Sequence, residues 1–512
     1  MPSDLAIRPS RTLKDPRLRV PQPTLLRRAL AAALLLVAGA ASAQSPVPSL
    51  PFFTGAGGDP QTAIAQSRTS DQVSVTNEGS IQTSLGPYGD PFGLRAALAR
   101  FGVTSVVTYI GEGIGNASGG LRRGAVYGGR LDASLDVDLD ALAGWSGARF
   151  HTDVFQIHGH GLSRRFVNNL TTVSGIEALP ATRLFELWLE QRFFGDRLSV
   201  KVGQISADTE FAIAQSAVAF LNAGFGWPNI GAVVLPGGGP IYPLATPALR
   251  VKYVPTDALS FQAGLFNGNP AGRTGRGDEI DAEIRNRTGT TFSLDVPPFA
   301  IGEVAYAYTV TPGGEALGGQ SLGGTATLGG WHHFDRFESP RLDAVRGRLL
   351  ADPEASGLAR RFSGNSGIYA ILDQTVFREP GTENRGASVF LRLSGVPGDR
   401  NLIDLYADAG IAYRGLLEDR PNDTVAFGLI WSRIGPAARG FDRDRIALGQ
   451  GAGPVRSHET VLELTYQAEL VPGLTVQPDV QYVIRPGGGL ADEAGRRLRN
   501  AAVFGLRTTI NY

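Results

Sequence analysis

The sequence predicts an all-β chain, a transmembrane antiparallel β-barrel of about sixteen strands with short periplasmic turns and long extracellular loops. Three observations lead there: an export signal heads the chain, about sixteen segments alternate apolar and polar residues, and short and long connections alternate between them.

Residues 1–43 read as a secretory signal peptide. Arg27 and Arg28 precede the apolar run "ALAAALLLVAGA", and "ASA" at Ala41–Ala43 fits a small-residue cleavage site, so the mature chain is expected to begin near Gln44. Taking the seven basic and two acidic residues of this segment from the 48 of each sign leaves 41 basic and 46 acidic. That mildly acidic balance argues against nucleic acid as a partner. The chain has no cysteine, which avoids mispairing where thiols oxidise. After the signal no segment approaches the roughly 20 apolar residues of a membrane helix. A closed barrel is then the remaining way to cross lipid with every backbone group paired.

Residues 44–90, rich in Ser, Gln, Gly and Pro, read as a flexible N-terminal periplasmic segment. The barrel region is expected over 91–512. It starts with a short helix in "DPFGLRAALARFG", where Asp90 caps, Pro91 opens the first turn and Gly102 ends it. Strands follow at about 101–110, 131–140, 148–157, 182–194, 197–206, 247–254, 257–266, 300–309, 323–332, 366–377, 385–395, 401–414, 423–434, 457–470, 473–485 and 500–512. An even count suits an outer-membrane barrel.

The connections support the count. "AGWSG", "FFGD", "VPTD" and "VPG" are short and assigned to the periplasm. Residues 111–130, 158–181, 207–246, 267–299, 333–365, 435–456 and 486–499 are long and assigned outside. Two connections depart from this alternation: "GVPGDR" is short where a long loop is due, and 310–322 is long where a turn is due.

The two faces of each strand differ chemically. In "LDASLDVDLD", Leu131, Leu135, Val137 and Leu139 alternate with Asp132, Ser134, Asp136 and Asp138. In "LTVQPDVQYVI", Leu474, Val476, Pro478, Val480, Tyr482 and Ile484 alternate with Thr475, Gln477, Asp479 and Gln481. Strands of nine to thirteen residues match a tilted crossing of the hydrocarbon layer, so the apolar face is expected to meet lipid and the polar face a watery lumen. The last strand, "VFGLRTTINY", ends on Tyr512 and resembles the recognition signal of the barrel-assembly machinery, which more often ends in Phe.

Several motifs carry a family resemblance. "LFELWLEQRFFGDRLSVKVGQISADTEF", "FLNAGFGWP", "PIYPLATPALRVKY", "SGIYAILDQTVFREPG" and "GDRNLIDLYADAGIAYRGLLEDRPNDT" occur in order, and from about Gly86 to Tyr512 the chain resembles the carbohydrate-selective outer-membrane porins, the OprB-like family. The resemblance implies a sixteen-stranded barrel admitting monosaccharides, glucose above all, by passive diffusion.

A sugar-preferring pore needs flat apolar surfaces for pyranose faces and side chains that exchange hydrogen bonds with hydroxyls. One face of "RLFELWLEQRF" offers both in Glu186, Trp188, Glu190 and Arg192, with Trp188 the candidate stacking platform. Arg250 and Lys252 share a face of "ALRVKY", and Asp404, Asp408, Asp373 and Arg392 are further lumen candidates. The plainer reading of such charges is wall solvation and rigidity. Loop 207–246 is too apolar for water, and folding it into the barrel would hide Phe220, Phe225 and Trp227 and narrow the channel.

No cofactor or metal is expected. His151, His158 and His160 with His332 and His333 lack cysteine and an H-E-x-x-H helix, there is no G-x-S-x-G elbow, and "GEGIG" and "GQGAG" read as plain glycine loops. The expected partners are monosaccharides, outer-membrane lipid and lipopolysaccharide. Alternatives are a general diffusion porin, a barrel enzyme acting on lipid or peptide, and a plugged structural barrel.

Overall fold

The computed structural model describes residues 79–273, 281–312, 320–345, 347–382, 384–451 and 453–512. The expected signal peptide and most of the expected N-terminal segment lie outside these described residues. Sixteen antiparallel strands form one closed barrel in which each strand pairs with its chain neighbours and β1 closes on β16. They are β1 Val103–Gly120, β2 Gly124–Asp138, β3 Ala148–Gly159, β4 Ala181–Phe193, β5 Leu198–Ile205, β6 Thr246–Thr256, β7 Leu259–Asn267 and β8 Pro298–Val310. The second half comprises β9 Leu322–Asp343, β10 Ala359–Arg378, β11 Gly386–Gly395, β12 Ile403–Arg414, β13 Thr424–Ile434, β14 His458–Val471, β15 Leu474–Ile484 and β16 Arg499–Asn511. Among the described residues no helix is long and apolar enough to cross a membrane.

All sixteen expected strands occur. Register places the faces as the alternation requires: Gln477, Asp479 and Gln481 of β15 are 4%, 3% and 1% exposed, whereas Val480 and Tyr482 between and beside them are each 42% exposed. On β14, Glu459 and Glu463 point inward and Leu464 outward. Such an apolar outer wall and polar interior suit a barrel set in lipid.

Two expected loops are corrected. Residues 111–130 are mostly ladder, with only 121–123 between β1 and β2, and the hairpin of β9 and β10 extends to Asp343 and Ala359. In "GEGIGNASGG" the buried face carries Glu112, Ile114 and Asn116 and the other face is mostly glycine, so alternation of polarity disappears although the backbone groups still pair. The short connection 396–402 and the long one at 311–321 are real exceptions within a sixteen-stranded barrel, and residues 313–319 of the latter lie outside those described. The expected helix is Leu94–Ala99, preceded by a turn at Pro91–Gly93. The Asp90 carboxylate accepts from the amides of Arg95 at 3.0 Å and Ala96 at 3.1 Å.

Candidate functional site: the constricted lumen

Two loops turn inward, 160–180 and 206–245, and the wall receives them through complementary shape and charge. Phe220 and Phe225 stack with centroids 4.2 Å apart, and each meets Phe390 of β11 at 6.0 Å. Gly410 and Gly428 make room for these rings: a Cβ on Gly428 would lie 2.6 Å from the Phe225 ring, and one on Gly410 3.0 Å from the Phe220 ring. Trp227 is 7% exposed and donates its indole N–H to the Phe211 carbonyl at 2.9 Å. The loop thus turns into the barrel, with Phe220, Phe225 and Trp227 buried. Burying each aromatic side chain contributes roughly 1.5–3 kcal/mol.

An irregular loop carries backbone N–H and C=O groups that a strand ladder would have paired, and inside a barrel these need partners. The wall supplies them. Glu303 accepts from the Ala212 amide at 3.1 Å, Asp373 from Ser216 at 2.8 Å, and Glu463 from Leu221 and Asn222 at 2.6 and 3.1 Å. Glu459 performs the same service for Leu170 and Thr171 of the other loop and for Gly487. Arg392 serves the carbonyls, donating to those of Ala212, Gly224 and Phe225 at 2.8, 2.7 and 3.1 Å while Asp408 binds it at 3.0 and 2.5 Å. Tyr406 donates to the Gly224 carbonyl at 2.9 Å.

A second cluster occupies the wall of β4–β7. Arg250 bridges Glu190 at 2.8 Å and Glu210 of the loop at 2.9 Å, Lys201 reaches Glu210 at 2.7 Å, and Arg192 reaches Glu190 at 3.1 Å. Lys252 sits on the same face, opposite Ser199 and Gln262 in register. Glu186 accepts from the Ser206 amide at 2.7 Å, the Thr209 hydroxyl at 3.1 Å and the Trp188 indole at 3.2 Å. Charges this deeply desolvated persist only when paired and hydrogen-bonded.

The open part of the lumen is a cavity of about 930 Å³ between the two loops and the wall of β1, β2 and β16. Ile110, Arg130 and Arg507 border it from the wall, and Asn168, Asn222, Asn229, Val218 and Tyr242 from the loops. Arg130 lies over the rings of Phe155 and Tyr242 at 4.6 and 5.2 Å, and Arg507 donates to Glu112. Burial pushes the Glu177 and Glu283 carboxyls at the outer mouth upward, against amide bonds from Ser163 and Leu179.

Among the candidates from the sequence, Phe220 and Trp227 border this cavity, while Glu186, Trp188, Glu190, Arg192, Arg250, Lys252, Asp404, Asp408 and Phe225 do not. Trp188 faces inward but is 2% exposed: His151 stacks on it at 4.7 Å and the Lys201 ammonium lies 3.7 Å from its ring centre. Neither ring face is open to a sugar in this structure. Asp404 is held by Arg433 at 2.9 and 2.7 Å at the start of β12. Reading faces alone finds inward residues but does not separate those against the loop from those against water. The asparagines and Arg130 lay unremarked because a loop's destination shows only in its partners. Among the described residues no group of three His, Cys, Asp or Glu could hold a metal.

A closed barrel with an apolar outer wall and a polar lumen narrowed by its own loops defines an outer-membrane porin. The family described as carbohydrate-selective porin, OprB family, matches residues 122–512. The chain is 26% identical over 443 residues to Porin B of Pseudomonas aeruginosa, covering 82% of this chain and 89% of that one. It is 20% identical over 470 residues to the putative porin QuiX of Acinetobacter baylyi, covering 86% and 96%. The high-pH structure of Pseudomonas putida OprB superposes with a TM-score of 0.72 at 26% identity, covering 83% of this chain and 97% of that one. The chain belongs to the OprB family of carbohydrate-selective porins, bacterial outer-membrane channels.

Proposed function

We propose that the barrel admits monosaccharides such as glucose by passive, sugar-preferring diffusion. The observation that carries this reading is the cavity of about 930 Å³, whose border mixes amide side chains, arginines held by their own partners, and the Phe220, Trp227 and Tyr242 rings. Amides and guanidinium groups exchange hydrogen bonds with hydroxyls in many orientations, and ring edges offer apolar surface to a pyranose. Because Glu112, Glu190, Glu210 and Asp408 are already paired with Arg507, Arg250, Lys201 and Arg392, an ion finds no ladder of free charges of one sign there, while a neutral polyol loses little. Weak, multiple contacts allow entry and release. Glu186, Trp188, Glu190, Arg192, Arg250, Lys252 and Asp408 then act behind the loop, setting the width of the passage.

Swelling of liposomes containing the refolded mature chain tests this directly. Glucose is expected to enter faster than an uncharged non-sugar solute of equal size, and equal rates would leave a general diffusion porin.

A further inference from the structure

The segment ahead of β1 carries a surface that conduction does not use. From Ser80 to Gly102 the chain follows the periplasmic ends of β14, β15, β16 and β1. The Ser84 hydroxyl donates to the Pro472 carbonyl at 3.2 Å, the Tyr512 hydroxyl to the Gly89 carbonyl at 2.7 Å, and Arg95 to the Ser105 carbonyl at 2.7 Å. The Arg95 guanidinium also lies over the Tyr512 ring at 4.8 Å. Tyr512 shares its face with Leu506, which is 50% exposed on the outer wall, so the segment rests on the lipid side of the rim and not across the lumen.

There it holds large apolar side chains away from the protein. Tyr88, Phe92, Leu94 and Phe101 are 82%, 105%, 61% and 62% exposed. The backbone enforces this presentation. Phe92 has φ 67°, a left-handed conformation that a bulky residue adopts only when its surroundings dictate it, and Gly93 follows at φ 64°. Asp90 fixes the kink by capping the next turn. Arg100, exposed, stands beside these side chains.

We propose that residues 88–101 form an interfacial anchor for the inner leaflet of the outer membrane, with Phe92, Leu94 and Phe101 at the acyl boundary and Arg100 among phospholipid phosphates. Two observations select lipid as the occupant. The apolar surface is continuous, through Tyr512, with the outer wall that already faces lipid, and its basic charge complements an anionic headgroup.

The chain's lack of cysteine makes a single label unambiguous. Leu94→Cys, carrying a nitroxide on the full mature chain, is compared in phosphatidylethanolamine and phosphatidylglycerol liposomes with Glu354→Cys in the outer β9–β10 connection. The expected result is oxygen accessibility several-fold above that of a water-soluble nickel chelate at Leu94 and the reverse at Glu354. Nickel-dominated accessibility at Leu94 would overturn the anchor. So would low accessibility to both reagents, which would mean that protein covers this surface. Leu98→Cys gives the same reading should Leu94→Cys fail to refold.

Discussion

Arg392→Met is expected to raise single-channel conductance several-fold and to weaken preference for glucose. This guanidinium is fully buried and joins three loop carbonyls to one wall carboxylate, so its loss loosens both ends of the segment from Ala212 to Phe225, leaving Ala212 to Glu303 and Gly224 to Tyr406. It also strands Asp408, a cost of about 3–5 kcal/mol. Conductance and stability can be separated. Adding Asp408→Leu removes the stranded charge and is expected to restore most of the resistance of the folded barrel to heat in detergent. The carbonyls of Ala212 and Phe225 still lack the Arg392 donor in that double variant, and Gly224 keeps only Tyr406, so its conductance should stay high. Parental conductance in both variants would mean that the aromatic seat and the bonds to Glu303, Asp373, Glu463 and Tyr406 hold the loop without Arg392.

Removal of Gly224–Gly237 is expected to act in the same direction and further. It deletes Phe225 from its stack with Phe220, deletes Trp227, and takes away two of the three carbonyls that Arg392 binds. The groove at Gly410 and Gly428 is left half empty, and water enters where two rings had been buried at roughly 1.5–3 kcal/mol each. Conductance should rise, and the ratio of glucose to control solute in liposome swelling should fall toward one. The sixteen-stranded ladder involves none of these residues, so heat-resistant mobility in detergent gels should persist. Unchanged conductance would count against an inward, flow-limiting loop.

The strands were legible because lipid on one side and water on the other impose a period of two, as in Val476–Gln481. The same physics explains what was hidden. In the outer parts of β1 and β9 the buried face mixes apolar and polar residues, Ile114 with Asn116 and Phe337 with Ser339, so alternation of polarity is lost and only backbone pairing marks them as strands. Inside the barrel, alternation identified Asp373 and Arg392 as inward but gave no sign that their partners would include backbone groups of a loop more than 150 residues away, as for Asp373 and Ser216. Trp188 shows the limit most clearly. Its strand neighbours announced the lumen face, yet the two covering groups, His151 and Lys201, come from β3 and β5 and meet it only through register. The apolar content of loop 207–246 did signal its course, since Phe220, Phe225 and Trp227 have no other place to hide from water.

The most direct test of a sugar-selective constriction is the effect of glucose on the ion current through single refolded channels in a planar bilayer. Glucose is expected to reduce the current of the parent chain in a saturable, concentration-dependent way, and to do so far less after Arg392→Met. A parent current that falls only as much as it does with the equal-sized non-sugar solute would contradict the account.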